Sequence, residues 1–144
     1  MKMIDDKDRK ILEILLKDSR TPYSEIAKVL GISDTAVRKR IKNLEEQGVI
    51  KCYTICVDPH FIGYKCIAVV GIDTESDKFY NVAQKLREMD EVKCLDITSG
   101  ESMIIAEIWA QDGEALAQIL SQKIGKIEGV RRIKSSVVLQ KLKG

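Results

Sequence analysis

Residues 33–48 constrain the fold of this chain more than any other stretch. Ser33 is a favourable N-cap residue, and Gly48 suits the position just after the end of a helix. Between them, Val37, Ile41 and Leu44 recur at the helical period and define a single apolar stripe. The spacing therefore predicts one amphipathic helix that packs through this stripe against a core.

The charges of this helix oppose its own dipole. The positive N-terminal end of a helix favours acidic side chains and the negative C-terminal end favours basic ones, each by about 0.3–1 kcal/mol. Here Glu45 and Glu46 lie in the last turns, and four cations fill the first half: Arg38, Lys39, Arg40 and Lys42. Because the helix gives up this stabilisation, we expect it to present its cations to an anionic partner.

A shorter helix precedes this one across a tight turn. We predict that Thr21 is its N-cap, that Pro22 is its first residue, and that its buried stripe is Ile26, Ala27 and Leu30. Only Gly31, Ile32 and Ser33 separate the two helices. This is the geometry of a helix-turn-helix, whose second helix enters the major groove of DNA. A further helix is expected at about residues 5–18, where apolar residues recur at helical spacing.

The bulk composition indicates a globular protein with local positive charge. The chain has 144 residues, of which 44% are hydrophobic, and a net charge of only +2. Residues 20–42 hold six Lys/Arg against two Asp/Glu, whereas residues 1–19 hold five of each.

No apolar run approaches the ~18 residues of a membrane span, and the first residues do not resemble a signal peptide. We therefore expect a cytoplasmic protein with no membrane partner, whose four cysteines are free thiols.

The second part of the chain has a different pattern. Residues 49–57, rich in β-branched side chains, predict a strand that leaves the three-helix head as a wing, and Asp58-Pro59 ends it. We divide the chain into a helix-turn-helix domain at 1–50, a linker strand and hinge at 51–63, and a second domain at 64–144. In that domain we predict strands at 64–73, 92–99, 103–109 and 130–142, and helices at 76–89 and 114–124.

This order of elements is that of a ferredoxin-like βαββαβ domain, so the fold class is α+β. Two helices can cover only one face of a four-stranded sheet. Ile67 and Val69 lie on the other face of the first strand, which therefore needs a cover. A second copy of the chain is the simplest one, so we expect a homodimer.

The whole pattern resembles the Lrp/AsnC family of transcription regulators, also called feast/famine regulators, and most of all its archaeal LrpA branch. The resemblance spans residues 5–142 and is carried by four motifs: IAxxLGIS, VxxRIxxLExxGVI, the DP hinge and the turn at Gly100. It implies an N-terminal winged helix-turn-helix that binds double-stranded DNA. It also implies a C-terminal domain of the RAM/AsnC type that forms dimers and often octamers, and that in many members binds an amino acid where dimers meet.

The resemblance and the helix pattern together assign the DNA-binding residues. Thr35 and Arg38 are assigned to base edges, and Ser33 lies at the start of the same helix. Four cations are assigned mainly to phosphates: Lys39, Arg40, Lys42 and Lys51. A merely solvated charged face is the alternative, which the preceding turn and helix disfavour.

A candidate effector site lies in the turn formed by Ser99, Gly100, Glu101, Ser102 and Met103. Ligand-binding members commonly have Asp three residues after the glycine, and this chain has Met103 there. Glu101 suits an amino group, and backbone amides near Gly100 suit a carboxylate. The alternative is a purely structural hairpin.

The sequence offers three alternatives to these functions. Cys52, Cys56 and His60 have a spacing that suggests zinc, but a strand would separate the two cysteines by about 13 Å, too far to share one ion. Relatives with this architecture include tetrapyrrole-modifying enzymes, yet no nucleophile–base pair or phosphate loop is present, so we expect no enzyme and no cofactor. A ligand-independent, global DNA-organising protein stays open as the alternative to a specific regulator.

Overall fold

The computed structural model describes residues 4–143. The chain forms two compact units, Met1–Ile55 and Cys56–Gly144, so the division lies inside the predicted linker. Within the described residues, no helix has the length and apolar character needed to cross a membrane.

Three helices make the first unit: α1 (Asp6–Lys17), α2 (Tyr23–Leu30) and α3 (Asp34–Glu46). Their shared core is fully apolar and consists of Ile11, Ile26, Ala27, Val37, Ile41 and Leu44. Gly31 ends α2 with a positive φ of 63°, a conformation that glycine adopts without strain. The predicted helix-turn-helix is therefore present.

The start of α2 differs from the prediction by one residue. Pro22, not Thr21, is the N-cap, and no side chain caps this helix. The Thr21 hydroxyl instead donates to the backbone oxygen of Asp18 at 2.8 Å. Because that hydroxyl bonds back to the preceding turn, it does not cap the helix that follows.

The strand predicted at residues 49–57 is wrong, since residues 51–58 have no regular secondary structure. The N–H groups of Val49 and Ile50 donate to the Leu44 oxygen at 2.9 and 3.1 Å, so they close the end of α3. A strand needs a hydrogen-bonded neighbour, and the described residues of this unit contain no other strand. High β-propensity alone therefore did not produce one.

The second unit is a four-stranded antiparallel sheet in the order β2-β3-β1-β4. The strands are β1 (Cys66–Thr74), β2 (Val92–Ile97), β3 (Ile104–Ala110) and β4 (Val130–Val137), with helix α4 (Phe79–Arg87) and helix α5 (Gly113–Gln118). A 3-10 turn at Pro59–Ile62 precedes β1. This arrangement confirms the ferredoxin-like βαββαβ prediction.

The second helix of this unit is shorter than predicted. After Gln118 the chain widens into a π-helical turn, Ile119–Lys123, and then a 3-10 turn, Ile124–Lys126. A Cβ at Gly125 would lie 2.9 Å from the Leu120 oxygen, so the backbone approaches itself closely there. The apolar stripe nevertheless stays buried at Leu116, Ile119 and Ile124.

The two faces of the sheet differ in polarity. One face is buried among apolar side chains: Ala68, Val70, Ile72, Ile104, Ala106 and Ile108. On the other face Ile67 is buried, but Val69 is 41% and Ile105 38% exposed. Asp73 and Arg132 form an ion pair on that same face. The second face is thus a mixture of apolar and charged groups, less apolar than the sequence suggested.

Candidate nucleic-acid interface and effector turn

The outer face of α3 is fixed by its cap and its buried stripe. The Ser33 hydroxyl oxygen accepts a hydrogen bond from the Ala36 N–H at 3.1 Å, and Gly48 follows the helix with φ 67°. Because Val37, Ile41 and Leu44 are buried, the opposite side of the helix faces solvent. Six predicted DNA-binding residues are exposed: Ser33, Thr35, Arg38, Lys39, Lys42 and Lys51.

Arg38 is oriented by an aromatic side chain. Its guanidinium carbon lies 5.2 Å from the centroid of the Tyr23 ring, within the range of a cation–π interaction. Tyr23 is the first residue of α2 and packs against the core of the first unit. The preceding helix therefore holds the side chain that the sequence assigned to base edges.

The two glutamates near the end of α3 have different partners. Glu45 accepts a hydrogen bond from the Tyr53 hydroxyl at 2.7 Å, and burial together with Glu45 raises the pKa of Tyr53 to about 12. Glu46 lies 3.8 Å from the Lys42 ammonium, but both side chains are largely exposed, so this pair contributes little to stability. Lys42 is consequently available to an anionic ligand.

Arg40 does not share the solvent-exposed setting of the other cations. Its Nη1 atom donates to Asp5 at 2.7 Å and to Asp8 at 2.8 Å, and only 29% of its side chain is exposed. These contacts, led by the one with Asp8, raise the pKa of the guanidinium. The pKa of Asp5 is lowered, chiefly by the Asp8 N–H and then by Arg40. The structure therefore places this predicted phosphate contact against the start of α1.

The predicted effector residues divide into an exposed and an inward-facing group. Ser99, Gly100 and Glu101 are exposed, whereas Ser102 is buried and Met103 is half-buried. The Ser102 backbone oxygen accepts a hydrogen bond from the Thr98 hydroxyl at 2.6 Å, which closes the hairpin. The first three residues are therefore the most accessible to a ligand.

Two neighbouring strands add charged groups around this turn that the sequence analysis did not identify. Lys134 of β4 pairs with Glu101 and lowers the pKa of that carboxyl. Asp73 of β1 accepts hydrogen bonds from the Met103 N–H at 3.1 Å and from Arg132 Nε at 3.1 Å. Burial is the largest single influence and raises the pKa of Asp73, but these two bonds together with the charges of Arg132 and Lys134 outweigh it, so the net pKa is lowered. These groups come from strands paired across the sheet, and no spacing in the sequence reveals them.

The cysteines and the histidine do not gather into a metal site. Within residues 4–143, no group of three His, Cys, Asp or Glu side chains is placed to hold a metal ion. Cys52, Cys56 and Cys94 are exposed free thiols, and Cys66 is a buried one. His60 Nδ1 lies 2.7 Å from an Asp58 oxygen.

Comparisons with known proteins match both units. Residues 4–51 match the family model described as winged helix-turn-helix DNA-binding, and residues 67–144 match that of the Lrp/AsnC ligand binding domain. The chain is 55% identical to the HTH-type transcriptional regulator LrpA of Pyrococcus horikoshii and 52% identical to that of Pyrococcus abyssi. Each alignment covers 98% of this chain and 100% of the relative.

Solved structures share the fold. Escherichia coli AsnC superposes with a TM-score of 0.84 at 30% identity, covering 99% of this chain and 97% of AsnC. A Neisseria meningitidis transcriptional regulator in complex with L-Met gives a TM-score of 0.87 at 23% identity, covering 99% and 94% of the two chains. The match to this second structure concerns the fold alone.

Proposed function

Since the chain belongs to the Lrp/AsnC family of DNA-binding transcription regulators, we propose that it binds a specific, pseudo-palindromic operator as a homodimer or a larger assembly. The observation that carries this proposal is the outer face of α3. There the Ser33 cap, the buried stripe and the Tyr23 ring hold Thr35 and Arg38 outward beside exposed lysines. A helix of this kind in a helix-turn-helix is suited to the major groove.

The exposed residues take different roles in this proposal. Arg38 and Thr35 read base edges, since an arginine can donate two hydrogen bonds to guanine O6 and N7. Lys39, Lys42 and Lys51 bind phosphates, which set the register of the protein on the duplex without reading sequence.

A pair of substitutions on α3 tests these roles. The probes are a duplex selected by the protein from a random library and a scrambled duplex of the same composition. Arg38→Ala is expected to cost about 1–3 kcal/mol on the selected duplex and to relax base preference. Lys42→Ala is expected to weaken binding to both duplexes alike and, because a dimer loses two phosphate contacts, to shallow the salt dependence of log K by about 1.8. The assignment fails if neither change alters binding.

The same titration separates a specific regulator from a global DNA-organising protein. An organiser would show a steep salt dependence with equal affinity for the selected and the scrambled duplex. A specific regulator would prefer the selected duplex by about 10³-fold or more.

A homodimer is supported by the sheet face that the helices leave uncovered. Val69 and Ile105 are exposed on neighbouring strands of that face, beside the buried Ile67. Packing this face against a second copy removes apolar surface from water. In a two-fold dimer the two α3 helices would reach successive major grooves about 34 Å apart. Sedimentation of Ile105→Lys is expected to show a shift toward monomer relative to the native chain.

An amino acid effector is proposed for the exposed part of the hairpin turn. Glu101 and Lys134 already form an ion pair there, so a zwitterion can replace it, with its ammonium on Glu101 and its carboxylate on Lys134 or on amides near Gly100. The test is a thermal shift with each of the twenty amino acids on the native chain and on Glu101→Gln. We expect at least one shift that the variant loses, and no shift on either protein would refute the site. A ligand bound there would act by changing the assembly and hence the spacing of the heads.

Catalysis is not part of the proposed function. The relatives are named transcriptional regulators, and the described residues contain no group of three His, Cys, Asp or Glu side chains placed to hold a metal ion. A cytoplasmic location is proposed because a regulator of this kind must reach the chromosome.

A further inference from the structure

The Arg40 side chain points in a different direction from the side chains of the other cations of α3. Successive residues of a helix are rotated by about 100°, so Arg40 lies about 140° around the axis from Thr35. It is half-buried beside the core residue Ile41, whereas Arg38 and Lys42 are exposed. A side chain in this position faces α1 rather than the groove side of the helix.

The carboxylates that bind Arg40 have all four oxygens occupied. Asp5 Oδ1 accepts the Asp8 N–H at 2.8 Å, and Asp8 Oδ2 accepts the Asp5 N–H at 3.1 Å, which together form the capping box of α1. The other two oxygens, Asp5 Oδ2 and Asp8 Oδ1, bind the same nitrogen of Arg40. The start of α1 and the middle of α3 are thus joined through one polar cluster.

The charge of this cluster does not suit a phosphate contact. One guanidinium faces two carboxylates, so a phosphate that approached Arg40 would meet net negative charge. Asp8 is only 16% exposed and holds Arg40 at close range, which strengthens the pair relative to one in open solvent. Freeing Arg40 for DNA would leave two acids without their partner.

We propose that Arg40 is a positioning residue, which fixes the rotation of α3 through Asp5 and Asp8 so that Thr35 and Arg38 face base edges. The inference rests on the proposed use of α3 as the DNA-reading helix. A small rotation of α3 moves base-reading side chains out of hydrogen-bond geometry, but it leaves flexible lysines able to reach phosphates. Loss of the cluster should therefore reduce sequence preference and leave non-specific binding intact.

Three variants and one control test the proposal on the full chain with the selected and scrambled duplexes. Arg40→Gln removes the guanidinium, and the double variant Asp5→Asn, Asp8→Asn removes the acids but keeps side-chain oxygens for the cap. Lys42→Gln serves as the comparison, because it removes a cation that the proposed function assigns to a phosphate. Asp6→Asn is the control, since Asp6 lies in the same turn and is almost fully exposed without touching Arg40.

We expect Arg40→Gln and the double aspartate variant each to lower the selected-to-scrambled affinity ratio by about tenfold, the loss expected when one base contact is misplaced. The salt slope of both should match the native chain, whereas Lys42→Gln, which removes one phosphate contact from each head of a dimer, shallows it by about 1.8. Asp6→Asn should leave the ratio unchanged. If Arg40→Gln fails to fold, as judged by the loss of a cooperative thermal unfolding transition, the double aspartate variant decides.

Two results would overturn the inference. In one, Arg40→Gln shallows the slope as Lys42→Gln does, so that Arg40 contacts phosphate. In the other, the affinity ratio is unchanged in both variants. A native chain that selects no preferred duplex would instead refute the proposed function, whatever Arg40 does.

Discussion

Gly71 lies where a central strand passes beneath the effector turn, and its replacement gives a sharp prediction. It is paired with Ile105 on one side and Lys134 on the other. A Cβ added there would lie 2.3 Å from the Ser102 hydroxyl oxygen and 3.0 Å from the Ser102 Cβ. Since Ser102 is buried and its backbone oxygen closes the hairpin, Gly71→Ala forces the Ser102 side chain to shift within a packed site.

The magnitude follows from two opposing effects. Overpacking of this kind costs about 1–3 kcal/mol, and alanine recovers about 0.5–1 kcal/mol because glycine is unfavourable within a strand. The middle of each range leaves a net destabilisation of about 1 kcal/mol, which lowers the melting temperature of a unit of this size by about 4–8 °C. Trp109, the only tryptophan, lies on β3 and reports this unit by fluorescence.

Substitutions at Ser102 identify the cause. In the Gly71→Ala background, Ser102→Ala removes the contact with the hydroxyl oxygen, and Ser102→Gly removes the contacts with both the oxygen and Cβ. The fall in melting temperature that Gly71→Ala causes should therefore be smaller when measured against the Ser102→Ala single variant, and smallest when measured against the Ser102→Gly single variant. Protein concentration is held fixed, because assembly shifts apparent stability. An unchanged melting temperature in Gly71→Ala, or additive effects within about 0.5 kcal/mol at the two positions, would refute the steric reasoning.

Three further predictions concern stability. Ile11→Ala should cost the first unit about 2–5 kcal/mol, since Ile11 is fully buried, whereas Leu16→Ala in the same helix, 86% exposed, should cost almost nothing in denaturant unfolding. Ser33→Ala removes the cap of α3 and should cost about 1 kcal/mol, with Ser33→Asn restoring it. Asp73 has a lowered pKa when folded, so its stabilising contribution is present above its ordinary pKa of 3.8 and is lost as pH falls through the folded value. The melting temperature of Asp73→Asn should accordingly lie below that of the native chain at pH 6, and the difference should shrink below pH 4.

Local signals allowed most elements of the fold to be predicted. The cap at Ser33, the glycine at Gly31 and the apolar spacing of α3 all act within a few residues, so the sequence displays them directly. The order of strands and helices in the second unit likewise follows from periodicity and short turns.

Features that depend on distant partners could not be predicted in this way. Residues 49–57 have the composition of a strand, but composition does not supply a neighbouring strand. Arg40 looks like its neighbours along the chain, yet its partners lie 35 and 32 residues earlier. The charges around Glu101 similarly come from strands that meet only in the folded sheet. The Asp5-x-x-Asp8 spacing was the one local sign of the cluster, since it matches a capping box.

The setting of Arg40 also changes the salt dependence expected of the native protein. If Lys39, Lys42 and Lys51 neutralise phosphates in each head, a dimer neutralises six, and log K should fall with log salt at a slope of about −5. Adding Arg40 from each head would steepen the slope to about −7. Measurement on scrambled DNA, where base contacts do not contribute, separates the two values. A slope near −7 in the native chain that returned to about −5 in Arg40→Gln would mean that DNA displaces Asp5 and Asp8 from Arg40.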